Sequence, residues 1–129
     1  MKTKLLTLAT IAVIALNVSG ALAATCEGGT LQTGENGHVY CQSNSKMNWW
    51  SAYTWCEAQG LKLPSAYDLC PSWDGSGVYQ CGMLYLGTVW TSTAYENNKA
   101  MLFSESGGEA HIVGNASRTT RYKVVCIKK

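Results

Sequence analysis

The stretch Met47-Asn-Trp-Trp-Ser-Ala-Tyr-Thr-Trp-Cys-Glu-Ala-Gln-Gly-Leu-Lys-Leu-Pro-Ser65 sets three tryptophans and a tyrosine around one cysteine, then stops on glycine and proline. Asn48 is a good N-cap for a helix beginning at Trp49, and Gly60 a good stop for it. At about 100° per residue, Trp49, Ala52, Tyr53 and Cys56 share one face. That face reads as core, with Cys56 aimed at another part of the chain. Trp50 and Trp55 fall on its flanks and are expected to be half-buried against neighbouring loops.

Downstream, Ser65 and Asp68 have the spacing of a capping box after Pro64, so a second helix begins there. It must be short, because Pro71 and the run "PSWDGSGVYQCG" interrupt it, and that run reads as a loop. The period then changes to that of strands. "TVWTST", "KAMLFS", "AHIVG" and "RYKVVCIKK" are separated by the turn-rich spacers "AYENN", "ESGGE" and "NASRTT". Asn115-Ala116-Ser117, formally a glycosylation sequon, falls in the last spacer and reads as a turn. Upstream, residues 25–45 alternate apolar patches with Gly and Asn, which predicts a hairpin carrying Cys26 and Cys41 on its arms. The order is hairpin, helix, short helix, loop and an antiparallel run of strands, an α+β arrangement.

The first residues read as an export signal: Lys2 and Lys4 precede an apolar run over 5–18, and Ala21-Leu22-Ala23 suits cleavage after Ala23. Residues 1–23 are therefore read as a signal peptide and 24–129 as one domain, secreted or periplasmic, without a membrane span after cleavage. All six cysteines lie in the domain, which in an exported chain predicts three disulfides. Zinc is not expected, since there is no Cys-x-x-Cys pair and His38 and His111 lack ligand-like spacing. Ten basic residues less Lys2 and Lys4 leaves eight, against eight acidic ones. A near-neutral domain whose basic residues cluster only near the C-terminus excludes nucleic acid as the expected partner.

The series Trp49-x2-Ala52-x3-Cys56-x3-Gly60-x2-Leu63-Pro64-Ser65 resembles the first-helix signature of C-type lectin-like domains, the bacterial secreted ones above all. Trp90-Thr91-Ser92-Thr93, Ala100-Met101-Leu102-Phe103, Gly107-Gly108 and Lys123-Val124-Val125-Cys126 follow in the family's order. The likeness runs over nearly all of residues 26–127. It implies a C-type lectin-like fold of two helices and a mainly antiparallel sheet. It also implies a choice among the 15 pairings open to six cysteines. Cys56 joins Cys126, Cys26 joins Cys41, and Cys70 and Cys81 are left for each other, a pair that departs from the family's usual second bridge.

Catalysis needs converging acid, base and nucleophile, and none is evident. Ser51 and Ser92 lack a nucleophile elbow, His38 sits beside a hairpin glycine, His111 lies in an alternating strand, and Glu105 and Glu109 flank a Gly-Gly turn. The expectation is a non-enzyme without cofactor. The family's calcium-dependent sugar site uses Glu-Pro-Asn or Gln-Pro-Asp with Trp-Asn-Asp, and this chain has neither. Its prolines are Pro64 and Pro71, and Asp68 and Asp74 are too few for an oxygen cage, so "WDGSG" reads as a turn and no metal is expected.

In similar bacterial domains the loops and outward strand faces of the C-terminal half carry ligand contacts. That places the candidate surface at Tyr95, Glu96, Asn97, Asn98, Arg118 and Arg121, with Trp73; the competing reading has Trp73 and Tyr85 capping the core. The expected function is recognition or adhesion, with an extracellular or cell-surface protein as partner. The alternatives are calcium-independent glycan binding and a structural subunit of a surface appendage or matrix.

Overall fold

The computed structural model describes Val13–Ile14, residues 24–76 and residues 78–129. The signal-peptide reading of residues 1–23, Val13–Ile14 apart, lies outside the described residues. Strand β1 (Val13–Ile14) pairs antiparallel with β2 (Ala24–Thr25). The expected hairpin is β3 (Gly29–Thr33) with β4 (Val39–Ser43), in register from Gly29 opposite Ser43 to Thr33 opposite Val39. Its bend closes where the Gly34 N–H donates to the His38 carbonyl at 2.8 Å, and Gly37 takes φ +85°, a value glycine adopts without strain.

Helix α1 covers Trp49–Ala58, and the Asn48 side chain accepts from the Ser51 N–H at 2.9 Å, as a capping residue should. It ends at Gln59, whose buried side-chain oxygen accepts from the Thr25 hydroxyl at 2.7 Å and the Glu27 N–H at 2.8 Å. The helix end thereby holds the strand entering the hairpin. Helix α2 is the single turn Ala66–Leu69, closed by the expected reciprocal Ser65–Asp68 capping box.

The remaining strands are β5 (Val78–Cys81), β6 (Val89–Tyr95), β7 (Lys99–Ser106), β8 (Glu109–Ser117) and β9 (Val125–Cys126). One sheet has the order β3-β4-β9 and the other β5-β8-β7-β6, all antiparallel within each. The parallel bridge Val89–Lys123 joins them. The described residues form an α+β arrangement with two helices, mainly antiparallel sheets and three disulfides.

Three local readings change. Residues 78–81, read as loop, form β5 against β8, because Cys81 is pulled to that sheet and pairs with Ala110. Ala116 and Ser117, read as turn, extend β8 opposite Ala100 and Lys99. Strand β9 is only two residues long, since the chain on either side crosses to other elements: Tyr122 bridges Met47 and Ile127 bridges Lys62.

The cysteines pair as Cys26–Cys41, Cys56–Cys126 and Cys70–Cys81, the pairing the resemblance implied. Cys41 lies directly opposite Cys126 across β4 and β9, so two bridges meet in the centre of the first core cluster. That cluster holds Trp90, whose ring meets Tyr122 edge-on at 5.1 Å and whose indole N–H donates to the Met47 carbonyl at 2.9 Å. A second cluster gathers Phe103, Met101, Tyr40, Ile112 and Trp73 around the Cys70–Cys81 end.

Candidate functional site

Only Ala52 and Cys56 of α1 are buried. Tyr53, expected in the core, is 44 % exposed, and Trp50 is 46 % exposed. A cysteine bridged to the last strand draws the helix so close that only alanine and the disulfide fit beneath it. The rings are displaced to its shoulders. Trp55 does pack on the hairpin as expected, its indole N–H donating to the Glu27 carbonyl at 3.2 Å. Gly29 is required there, since a Cβ would stand 2.5 Å from the Gln42 carbonyl oxygen and 3.1 Å from the Trp55 ring.

Trp49 is the hub of the exposed rings. Its indole N–H donates to the Thr91 carbonyl at 2.9 Å, which fixes the ring over β6. Trp50 meets it edge-on at 6.1 Å, Tyr53 lies tilted at 5.6 Å, and the Arg118 guanidinium carbon sits 4.4 Å from the ring centroid. An arginine over an indole face is held by the ring quadrupole and by stacking of two flat groups. Its remaining geometry is fixed by backbone: Arg118 Nε donates to the Lys99 carbonyl at 3.1 Å, its own N–H donates to the Asn98 carbonyl at 2.8 Å, and its carbonyl accepts from the Trp49 N–H at 3.0 Å. The first turn of α1 and the β6–β7 turn are therefore clamped through one residue.

That turn holds Glu96, Asn97 and Asn98, all exposed, between the paired residues Tyr95 and Lys99. Glu96 and Asn98 take φ of +50° and +51°. For asparagine this is tolerable, whereas for glutamate it is a strained conformation. Glu96 lies 3.9 Å from Lys99. We term Trp49, Trp50, Tyr53, Arg118 and this turn the aromatic ledge. Shallow grooves of about 490 and 430 Å³ flank the helix, the first lined by Trp50 and Trp55 and the second by Tyr53 and Ser92.

The sequence-read candidates thus separate. Glu96, Asn97, Asn98 and Arg118 come together at the ledge. Tyr95 is half-buried with its ring over Gly114, where a Cβ would stand 3.3 Å from the Tyr95 Cδ1. Arg121 is exposed on the segment leaving β8. Trp73 does not belong to the surface: it is 8 % exposed, packs on Tyr67 at 4.8 Å, and donates its indole N–H to the Ser76 carbonyl at 2.7 Å. Tyr85, read as a possible core cap, is 69 % exposed instead.

Trp73–Ser76 of the run "WDGSG" fold on themselves, Asp74 accepting from the Ser76 N–H at 2.8 Å; the Ser76 hydrogen bonds hold the Asp74 carboxyl below its ordinary value. Among the described residues no three His, Cys, Asp or Glu side chains converge as a metal site would need. No helix among them is long and apolar enough to cross a membrane.

Sequence reasoning put Trp49 and Tyr53 on the core face and Trp50 half-buried on its flank; Trp49 does pack against the first core cluster, whereas Tyr53 and Trp50 are exposed. The usable signal was the alanine at Ala52: a small residue beside Cys56 marks the side of closest approach and leaves the large rings outside. Comparisons of the chain with models of protein families, with curated proteins and with solved structures return no match.

Proposed function

We propose that the chain is an exported, non-catalytic recognition module of the C-type lectin-like type, and that its aromatic ledge binds a protein ligand at a cell surface or outside the cell. The lectin-like assignment rests on the ordered motif series from Trp49 to Cys126 and on the bridge from the first helix to the last strand. The observation that carries the function is the Trp49 hub, with Trp50, Tyr53 and Arg118 all in contact with one indole ring. Trp, Tyr and Arg are the residues on which protein–protein binding energy concentrates. Trp49 and Arg118 are pre-set here by hydrogen bonds to backbone carbonyls, so little of their side-chain entropy remains to be lost on binding.

A glycan bound without calcium is the second reading. It is supported by the exposure of two flat rings on one helix shoulder. The two readings part in a paired screen of the purified protein, run against surface-protein extracts and against a glycan array in the presence of chelator. Protein capture with a silent array supports the first reading. Chelator-insensitive array binding without protein capture replaces it with the second.

A further inference from the structure

Between β5 and β6 the chain carries Leu84-Tyr85-Leu86-Gly87 in an unusual form. Leu84 and Leu86 are buried, while Tyr85 between them is exposed at φ +61°, a strained conformation for an aromatic residue. The strain is held by one side chain. The Glu105 carboxylate, from β7, accepts from the backbone N–H groups of Leu84, Tyr85, Leu86 and Gly87, the last three at 2.7–2.8 Å. The loop's carbonyls are tied as well, Leu86 accepting from Gln42 Nε2 at 2.8 Å and Leu84 from the Glu35 N–H at 3.4 Å. A rigid loop therefore projects one ring beside two acids, Glu35 and Glu105, and its tip has no free N–H left to donate.

The same hairpin that receives this loop borders a cleft of about 480 Å³. Val39, Tyr40 and Ile127 give it apolar walls, and Lys62, Lys128 and Lys129 stand at its rim, Lys129 lying 3.2 Å from the Glu57 carboxylate. Asp68 also lines it, 3.6 Å from Lys62. An exposed aromatic ring beside the acid Glu35 thus stands on the same molecule as an apolar hollow whose rim carries Lys128, which has no ion pair among the described residues.

We propose that Tyr85 docks in this cleft of a second copy of the chain, with Glu35 facing Lys128. In its two-fold form, each copy's Tyr85 sits in the other's cleft and the contact closes as a dimer. The contact is small beside a standard interface, so the dimer is weak and forms where copies are concentrated. Trp49, Trp50 and Arg118 do not line the cleft, and the Tyr53 groove meets it only at Lys62 and Lys129, so a dimer presents two ledges and gains avidity for a repeated ligand.

The test is sedimentation equilibrium of the purified protein over a series reaching about 1 mM, at low and high salt. A monomer–dimer equilibrium that weakens with salt is expected. Tyr85→Asn removes the ring but suits the left-handed backbone, and Lys128→Glu reverses a rim charge. Each should weaken dimerisation about 30-fold or more without changing the circular dichroism spectrum. Pairing Lys128→Glu with Glu35→Lys in one chain should restore part of it. A protein monomeric across the whole series, or a dimer indifferent to either single variant, overturns the proposal.

Discussion

Replacing Glu105 by glutamine should destabilise the protein by about 3 kcal/mol. The carboxylate takes two N–H groups on each oxygen, those of Leu84 and Tyr85 on one and those of Leu86 and Gly87 on the other. Glutamine keeps one acceptor and turns an NH₂ toward the other pair, so two donors lose their partner and meet another donor. Tyr85 and Gly87 are exposed and can turn to water; Leu84 and Leu86 are buried and cannot. The cost therefore comes from one buried donor left unsatisfied, about 1–3 kcal/mol, together with the loss of charge from the hydrogen bonds that remain. Part is screened, because Glu105 is itself half-exposed. In a domain of this size the change lowers the melting midpoint by roughly 15 °C. Urea unfolding with the disulfides intact measures it, and hydrogen exchange at residues 84–87 localises it. Glu109→Gln is the control, since Glu109 is exposed at the neighbouring turn and its carboxylate lies 3.8 Å from His111. If Glu105→Gln falls within about 0.5 kcal/mol of the parent, as an ordinary surface change does, the clamp is not holding the loop.

Two further outcomes follow from the same structure. The loops closed by Cys26–Cys41, Cys56–Cys126 and Cys70–Cys81 span 15, 70 and 11 residues. Chain entropy then ranks removal of Cys56–Cys126 as the costliest, at about 4 kcal/mol against about 3 for each of the others; chemical denaturation of the three double-alanine variants tests the order. Burial holds the Tyr40 phenol above its ordinary value of 10.0, outweighing the hydrogen bond from Asn36. The unfolded chain therefore loses this proton first as pH rises, so stability declines above pH 10 and the Tyr40→Phe variant declines less; unfolding midpoints on either side of that pH measure the difference.

The elements of the fold were legible where local chemistry dictates them. Asn48, Gly60 and the Ser65–Asp68 box mark their helix ends without tertiary help, and the alternating runs after Thr88 announce strands. Strand β5 was not legible, because "GVYQCG" sits among turn-forming residues and is made a strand by Ala110 and His111 of β8 across from it. The site was half legible. Residues 96–98 and Arg118 were singled out on chain position alone, but their junction with Trp49 depends on the bridge that pulls α1 onto β9. Helical periodicity records a face with large rings and cannot say that the small residues within it make the closest approach. The Glu105 clamp leaves no trace in the sequence at all, since its partners are backbone N–H groups common to every loop.

The central claim is that the exposed rings of α1 are the binding surface. The direct measurement is affinity for the ligand returned by the paired screen, taken on the parent and on Trp50→Ser/Tyr53→Ser. Both rings are exposed and neither indole nor phenol of the pair holds the fold, so the double variant should fold normally. At hot-spot magnitudes the affinity should fall at least about 100-fold. Binding within about threefold of the parent, with the fold intact, would place the ligand elsewhere and contradict the account.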